Sequence, residues 1–129
     1  MVTTTVTPDR DWTTGEPVIL VSRCRSCAHR WYISRDACPA CGSPDVVTVP
    51  AAGTGQVVAH TTVHRVAAGA VDEPGPVGIA LVDLDEGVRV MGRCAPETVV
   101  GSPVRVVFLI RPGESDQPAL LPFFEAAGP

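Results

Sequence analysis

Residues 18–50 read VILVSRCRSCAHRWYISRDACPACGSPDVVTVP, and two pairs inside this stretch decide the fold: Cys24-Arg-Ser-Cys27 and Cys38-Pro-Ala-Cys41. A two-residue spacer lets both sulfurs of a pair face one point while backbone N–H groups bond to them. Two such knuckles close a tetrahedral thiolate site. The expected occupant is one structural zinc ion, with redox-active iron or dithiol redox chemistry as alternatives. Four protein ligands leave no open coordination position for hydrolytic chemistry. Arg23, Arg25, Arg30 and Arg35 lie close by and offset the surplus of about two negative charges on such a site. Gly42 follows the second knuckle, where a positive φ is useful, but Ala28 stands at the matching place after the first, which predicts a first turn that is slightly strained or differently shaped.

Around the knuckles lie short β-prone runs with no helical period, so residues 18–50 read as a zinc ribbon. Residues 1–17 read as an N-terminal arm, either frayed or anchored on the ribbon or a partner by Trp12, its one large apolar group. The small residues of PAAGTG, 50–55, read as a hinge into a second unit, 51–129. That unit holds five strand-like runs: 56–66, 77–84, 88–93, 104–110 and 119–124. They are separated by turn chemistry at 72–76, 85–87, 95–103 and 111–118. Alternation predicts Val104, Val106, Phe108 and Ile110 inside, with Arg105 and Arg111 outside. It likewise sets Val88, Val90 and Gly92 against Arg89, Met91 and Arg93, and Val57, Ala59 and Val63 against His60, Thr62 and His64. The expected fold is all-β: a ribbon followed by a five-stranded Greek-key barrel of the OB type.

The bulk composition agrees. The 45% of hydrophobic residues are mainly Val and Ala, and the 13 Pro and 12 Gly favour strands and turns over helices. A formal charge of −4 disfavours generic DNA or RNA binding. No stretch is long and apolar enough for a membrane helix, and Met1–Thr7 lacks the order of a signal peptide, so a cytoplasmic location is expected. Such a compartment keeps thiols reduced, which favours metal over disulfides. Cys94 is the odd thiol and reads as a small semi-buried residue, since no neighbouring base marks it as a nucleophile. His29 is not needed as a ligand. His60 and His64 read as exposed strand histidines, with an interface or ligand groove as the alternative.

The order of these features resembles a known family, a rubredoxin-like zinc ribbon followed by an OB-fold, labelled domain of unknown function thirty-five. The resemblance is carried by CRSC, CPACGSPD, GTGQVVAHTTVHR, GIALVDLDEGVRVMGR, VGSPVRVVF and LPFFEAA. Two departures are a missing helix before the ribbon and YISRDACP where the family commonly has a Pro-Pro-Arg segment, echoed only by Arg35.

The resemblance implies a non-catalytic accessory subunit of an acyl-CoA enzyme. The partner would be a thiolase-like protein, a retro-aldolase that shortens steroid side chains, or a MaoC-type enoyl-CoA hydratase, in a heterotetramer with two copies of each chain. Trp31, Tyr32, Leu121, Phe123 and Phe124 are candidate interface anchors, because aromatic residues concentrate at interface centres. Arg89, Arg93, Arg105 and Arg111 are candidate CoA contacts, because guanidinium groups suit phosphate oxygens. A different reading, single-stranded nucleic-acid binding by the barrel, conflicts with five Arg against nine acidic residues in 51–129 and with Phe108, Phe123 and Phe124 as its only aromatics.

Overall fold

The computed structural model describes residues 10–64, 76–111 and 119–127. Residues 1–9 of the arm, Arg65 and Val66, most of the turn expected at 72–76, the turn residues 112–118 and the Arg111 side chain lie outside the described residues. The ribbon is a three-stranded antiparallel sheet in the order β2-β1-β3, made of β1 (Leu20–Cys24), β2 (Arg30–Trp31) and β3 (Val46–Pro50). β4 (Thr54–Val63), β5 (Val77–Leu84), β6 (Arg89–Cys94), β7 (Pro103–Arg111) and β8 (Ala119–Ala126) close a barrel in the order β4-β5-β6-β8-β7. The closure contains one parallel pairing, Arg93 opposite Phe123 and Cys94 opposite Phe124. Among the described residues no helix is long and apolar enough to cross a membrane. The all-β architecture and the five-stranded barrel are those expected from the sequence.

Alternation fills the barrel along β5 and β6, where Ala80, Val82, Leu84, Val90 and Cys94 are buried and Arg89 and Met91 face out. Two expectations are corrected. In β4 the register shifts between Val57 and Ala59, an extra residue that reverses the faces beyond it. His60 therefore pairs with buried Ala80, and Thr62 with buried Gly78, while Ala59 and Val63 pair with Leu81 and Val77 on the outer face. The loop before β7 holds the shift, with Val57 N donating to Ser102 O (3.1 Å) and Gly101 N to Val57 O (2.8 Å). In β7, Val104 is buried and Val106 and Phe108 are half-buried, but Ile110 is 73% exposed. β4 pairs with β7 only at Pro103–Arg105, so the far end of the β7–β8 hairpin runs past the closed barrel.

The two units share one core. Ile19 and Val21, entering and within β1, are buried in the same cluster as Val57, Ala80, Val82, Val104 and Phe124. The segment expected as a hinge is a packed junction: Ala51 N donates to Ile19 O (2.8 Å), Ala52 N to Glu86 Oε2 (2.9 Å) and Val106 N to Gly53 O (2.7 Å). Gly53 has φ +87, and a Cβ there would lie 2.6 Å from Val106 Cγ1, so glycine is required twice over. Arg30 adds a tie from the ribbon to Glu86 O at 3.2 Å.

The described part of the arm is anchored. Trp12–Thr14 form a 3-10 turn whose cap, Asp11, accepts from Thr13 N, while Asp11 N donates to Thr14 Oγ1. The Trp12 indole N–H donates to Tyr32 Oη at 2.9 Å, and its ring packs against the shared core. The frayed-terminus reading therefore fails for residues 10–17.

Candidate metal centre

Each knuckle is a reverse turn cut to the same pattern. Ala28 N donates to Cys24 O and Cys24 N to His29 O. In the second knuckle, Gly42 N donates to Cys38 O and Cys38 N to Ser43 O. Both turns require a left-handed residue at the fifth position, taken by Ala28 at φ 66 and Gly42 at φ 81. The strain foreseen at Ala28 is thus present, because an L side chain in this region costs about 1–2 kcal/mol. The turns aim backbone donors at sulfur: Ser26 N and Cys27 N lie 3.3 and 3.4 Å from Cys24 Sγ, and Ala40 N lies 3.3 Å from Cys38 Sγ.

The four sulfurs of Cys24, Cys27, Cys38 and Cys41 all lie within 4.8 Å of one another. Cys24–Cys41 and Cys27–Cys38 approach to 3.6 and 3.7 Å. A tetrahedral ion with Zn–S bonds of ~2.3 Å spaces its sulfurs roughly 3.8 Å apart, close to these two distances, so the quartet is placed to hold zinc. Cys24 and Cys38 are buried and Cys27 and Cys41 exposed. Burial pushes the Cys24 thiol up, but N–H donors from Cys27 and Ser26 and the neighbouring thiols outweigh it and bring it down to about 6. Cys38 is lowered in the same way, against its burial, by Cys41 and Ala40 N–H groups. Cys27 rises to about 12: a backbone bond at His29 lowers it, but desolvation and the three other sulfurs prevail. Crowded thiols cannot all ionise without a cation between them, and a divalent ion supplies the missing charge.

The surroundings are structural. Trp31, 8% exposed, packs against Cys24 and Cys38, and His29 stacks on it at a 5.7 Å centroid distance. Arg25 lies 3.8 Å from Asp45, and Arg30 is turned to the barrel. Cys94, the last residue of β6, is buried, and burial pushes its thiol up, which suits an inert residue. His64 is exposed, whereas His60 sits half-buried with Nε2 unpartnered, a consequence of the β4 bulge that strand periodicity could not reveal.

The remaining candidate residues fall into separate groups. Phe124, 1% exposed, fills the barrel, so it and Trp31 present no ring to a partner. This corrects both as interface anchors: β8 alternates, and only one of two adjacent phenylalanines can face out. Leu121, Phe123 and Tyr32 are half-buried. On the outer face a row of paired residues runs Ile79, Arg93, Phe123, Val107 across β5, β6, β8 and β7. Arg89 is held by Asp83 at 2.7 and 3.2 Å, and Arg105 by Glu125 at 3.0 Å. Arg93 has no carboxylate partner among the described residues.

Comparison with known proteins matches these units separately. Residues 14–47 match the family model for the ChsH2 rubredoxin-like zinc ribbon domain, and residues 48–109 that for the ChsH2 C-terminal OB-fold domain. The chain is 36% identical over 115 residues to a probable enoyl-CoA hydratase alpha subunit of Thermomonospora curvata, covering 86% of this chain and 34% of that protein. It is 34% identical over 91 residues to a DUF35 domain-containing scaffold protein of Methanocaldococcus jannaschii, covering 67% of this chain and 64% of the relative. It thus spans about a third of the first relative's length and just under two thirds of the second's. Among solved structures, an Ltp2-ChsH2(DUF35) aldolase superposes with a TM-score of 0.70 at 33% identity over 84% of both chains. A DUF35-family protein of Sulfolobus solfataricus, 18% identical over 85% of this chain and 76% of its own, shares the fold at a TM-score of 0.56. With a four-cysteine ribbon and an OB barrel each matching its counterpart, the chain belongs to the DUF35 family of ChsH2-type proteins.

Proposed function

We propose that this chain is a non-catalytic subunit that docks on and completes a thiolase-fold acyl-CoA enzyme, a retro-aldolase acting on steroid side-chain or similar acyl-CoA. The observation that carries the reading is the similarity to the Ltp2-ChsH2(DUF35) aldolase over 84% of both chains. It is joined to a metal site whose four ligands are all protein sulfurs. A saturated site holds shape and offers no Lewis acid to a substrate. The T. curvata relative favours an enoyl-CoA hydratase partner as the second reading.

In this reading Tyr32, Leu121 and Phe123 contribute to the docking surface. Among the candidate arginines whose side chains are described, Arg93 is the one available to a CoA phosphate, since Arg89 and Arg105 already serve Asp83 and Glu125. Two copies of each chain form the complex, in the cytoplasm. The test is copurification from the native host with mass spectrometry of the bound protein. Retro-aldol cleavage of a 3-hydroxyacyl-CoA is then assayed with and without this chain. Activity that requires both chains is expected, and a partner fully active and stable alone overturns the proposal. Exchange of Phe123 for Asp is expected to abolish copurification while zinc content stays at one per chain.

A further inference from the structure

A cleft of ≈ 890 Å³ lies where the 3-10 turn, the ribbon and the barrel meet. It is separate from the metal centre and from the arginines of the outer barrel face other than Arg89. Its apolar walls include Trp12, Leu20, Tyr32, Leu81 and Val90, drawn from all three parts of the molecule. A volume of ~300–1,000 Å³ with a mainly apolar lining and a few placed polar groups is typical of small-molecule sites.

Three observations define an occupant. First, two large apolar side chains stand at the mouth: Ile33 is 71% and Met91 63% exposed, and both line the cleft. Ile33 also has φ 73, a conformation that a β-branched residue avoids, so the loop after β2 holds an apolar side chain at the lip against local preference. Second, the cleft offers no free cation: its one arginine is engaged, and its one carboxylate is hydrogen-bonded. Arg89 is doubly bonded to Asp83, and Asp11 accepts from the backbone and hydroxyl of Thr13. Third, the phenol of Tyr32 is a donor without a protein acceptor. Tyr32 Oη accepts from Trp12 Nε1, and its own hydrogen has no acceptor among the described residues. Burial raises the phenol above its ordinary value, helped by the charge of Asp11 and opposed by the bond from Trp12, so it stays protonated.

We propose that this cleft binds a neutral, largely apolar small molecule through one hydrogen bond from the Tyr32 hydroxyl to a carbonyl oxygen of the ligand. An anion would meet the Asp11 carboxylate and an arginine already bonded to Asp83, and a cation could not accept the Tyr32 hydrogen. A purely hydrocarbon ligand would leave the Tyr32 hydrogen unbonded in an apolar setting.

The test titrates the zinc-loaded full chain with 2-decanone, and in parallel with decanoate, following the Trp12 indole N–H and the Leu81 and Met91 methyl groups by NMR. Saturable shifts confined to these groups are expected with the ketone, at least tenfold weaker with the carboxylate. Tyr32→Phe is expected to weaken ketone binding roughly fivefold, the equivalent of one ordinary hydrogen bond. Leu81→Trp, which fills the cleft, is expected to abolish binding. If that variant misfolds, Met91→Trp at the lip serves the same purpose, with zinc content and amide dispersion as the folding check. Absence of saturable binding up to the solubility limit overturns the proposal. So does equal binding of both probes, or binding undiminished in the filled variants.

Discussion

The ribbon and the barrel are stabilised by different physics. The ribbon's own core is Cys24, Trp31 and Cys38 with Val46 against them, too little apolar surface to offset the ordering of thirty-odd residues. The barrel buries Val57, Ala80, Val82, Leu84, Val90, Val104 and Phe124 in one cluster and closes its own edges. One unit therefore depends on an ion and the other on excluded water. Yet Ile19 and Val21 put one face of the ribbon into the barrel's core, so the separation is incomplete. The lesson is that the metal fixes the local shape of the knuckles, while docking on the barrel fixes where that shape is presented.

The sharpest way to break the comparison is to remove the metal. Chelation, or replacing Cys38 by Ser, is expected to cost the ribbon on the order of 10 kcal/mol of apparent stability. Hydrogen exchange should show protection lost across β1–β3 and retained, though weakened, in β5 and β6. Next in size, Phe124→Ala empties the centre of the barrel and is expected to cost about 4 kcal/mol. Its midpoint in urea should fall while zinc stays at one per chain, the reverse of chelation.

Val21→Ala probes the shared core and should cost about 2 kcal/mol. Because Val21 belongs to both units, hydrogen-exchange protection of β1–β3 and of β5 and β6 should fall at the same denaturant concentration. Two separated transitions would show that the units melt independently. Ala28→Gly should act in the opposite direction, raising stability by about 1 kcal/mol through relief of the left-handed strain at φ 66.

The smallest effect concerns Asp83, whose carboxyl the Arg89 hydrogen bond and charge hold below its ordinary value. A depressed folded-state value means stability present above the unfolded value and lost as pH falls through the folded one. Asp83→Asn should remove that slight acid dependence. The exposed position keeps it small, and an acid melting series checks it.

Much of the metal centre was legible because the chemistry is local: a two-residue spacer sets two sulfurs on one turn, and a second copy completes the set. Ala28 could even be singled out as strained, since the two knuckles invite comparison residue by residue. The barrel strands were legible from alternation in β5 and β6, where each strand keeps its register. β4 was misread beyond Val57 because a bulge is decided by the partner strand and by the loop at Gly101–Ser102, not by the strand's own residues. Ile110 was misread because alternation states which side a residue faces, not whether anything covers it. Phe123 and Phe124 differ only in parity, and parity needs the register with β6 and β7.

What the sequence determined by itself was the chemistry: four thiolates at metal-binding spacing, a strand-rich second unit, and a shortage of positive charge. These are properties of composition and of neighbours within a few residues. Tertiary structure alone decided that Ile19 and Val21 leave the ribbon for the barrel core, that Trp12 meets Tyr32 twenty residues away, and that a cleft opens between them and Leu81. Such features depend on contacts between segments whose relative placement no local propensity encodes, and only packing at near-solid density selects among the alternatives.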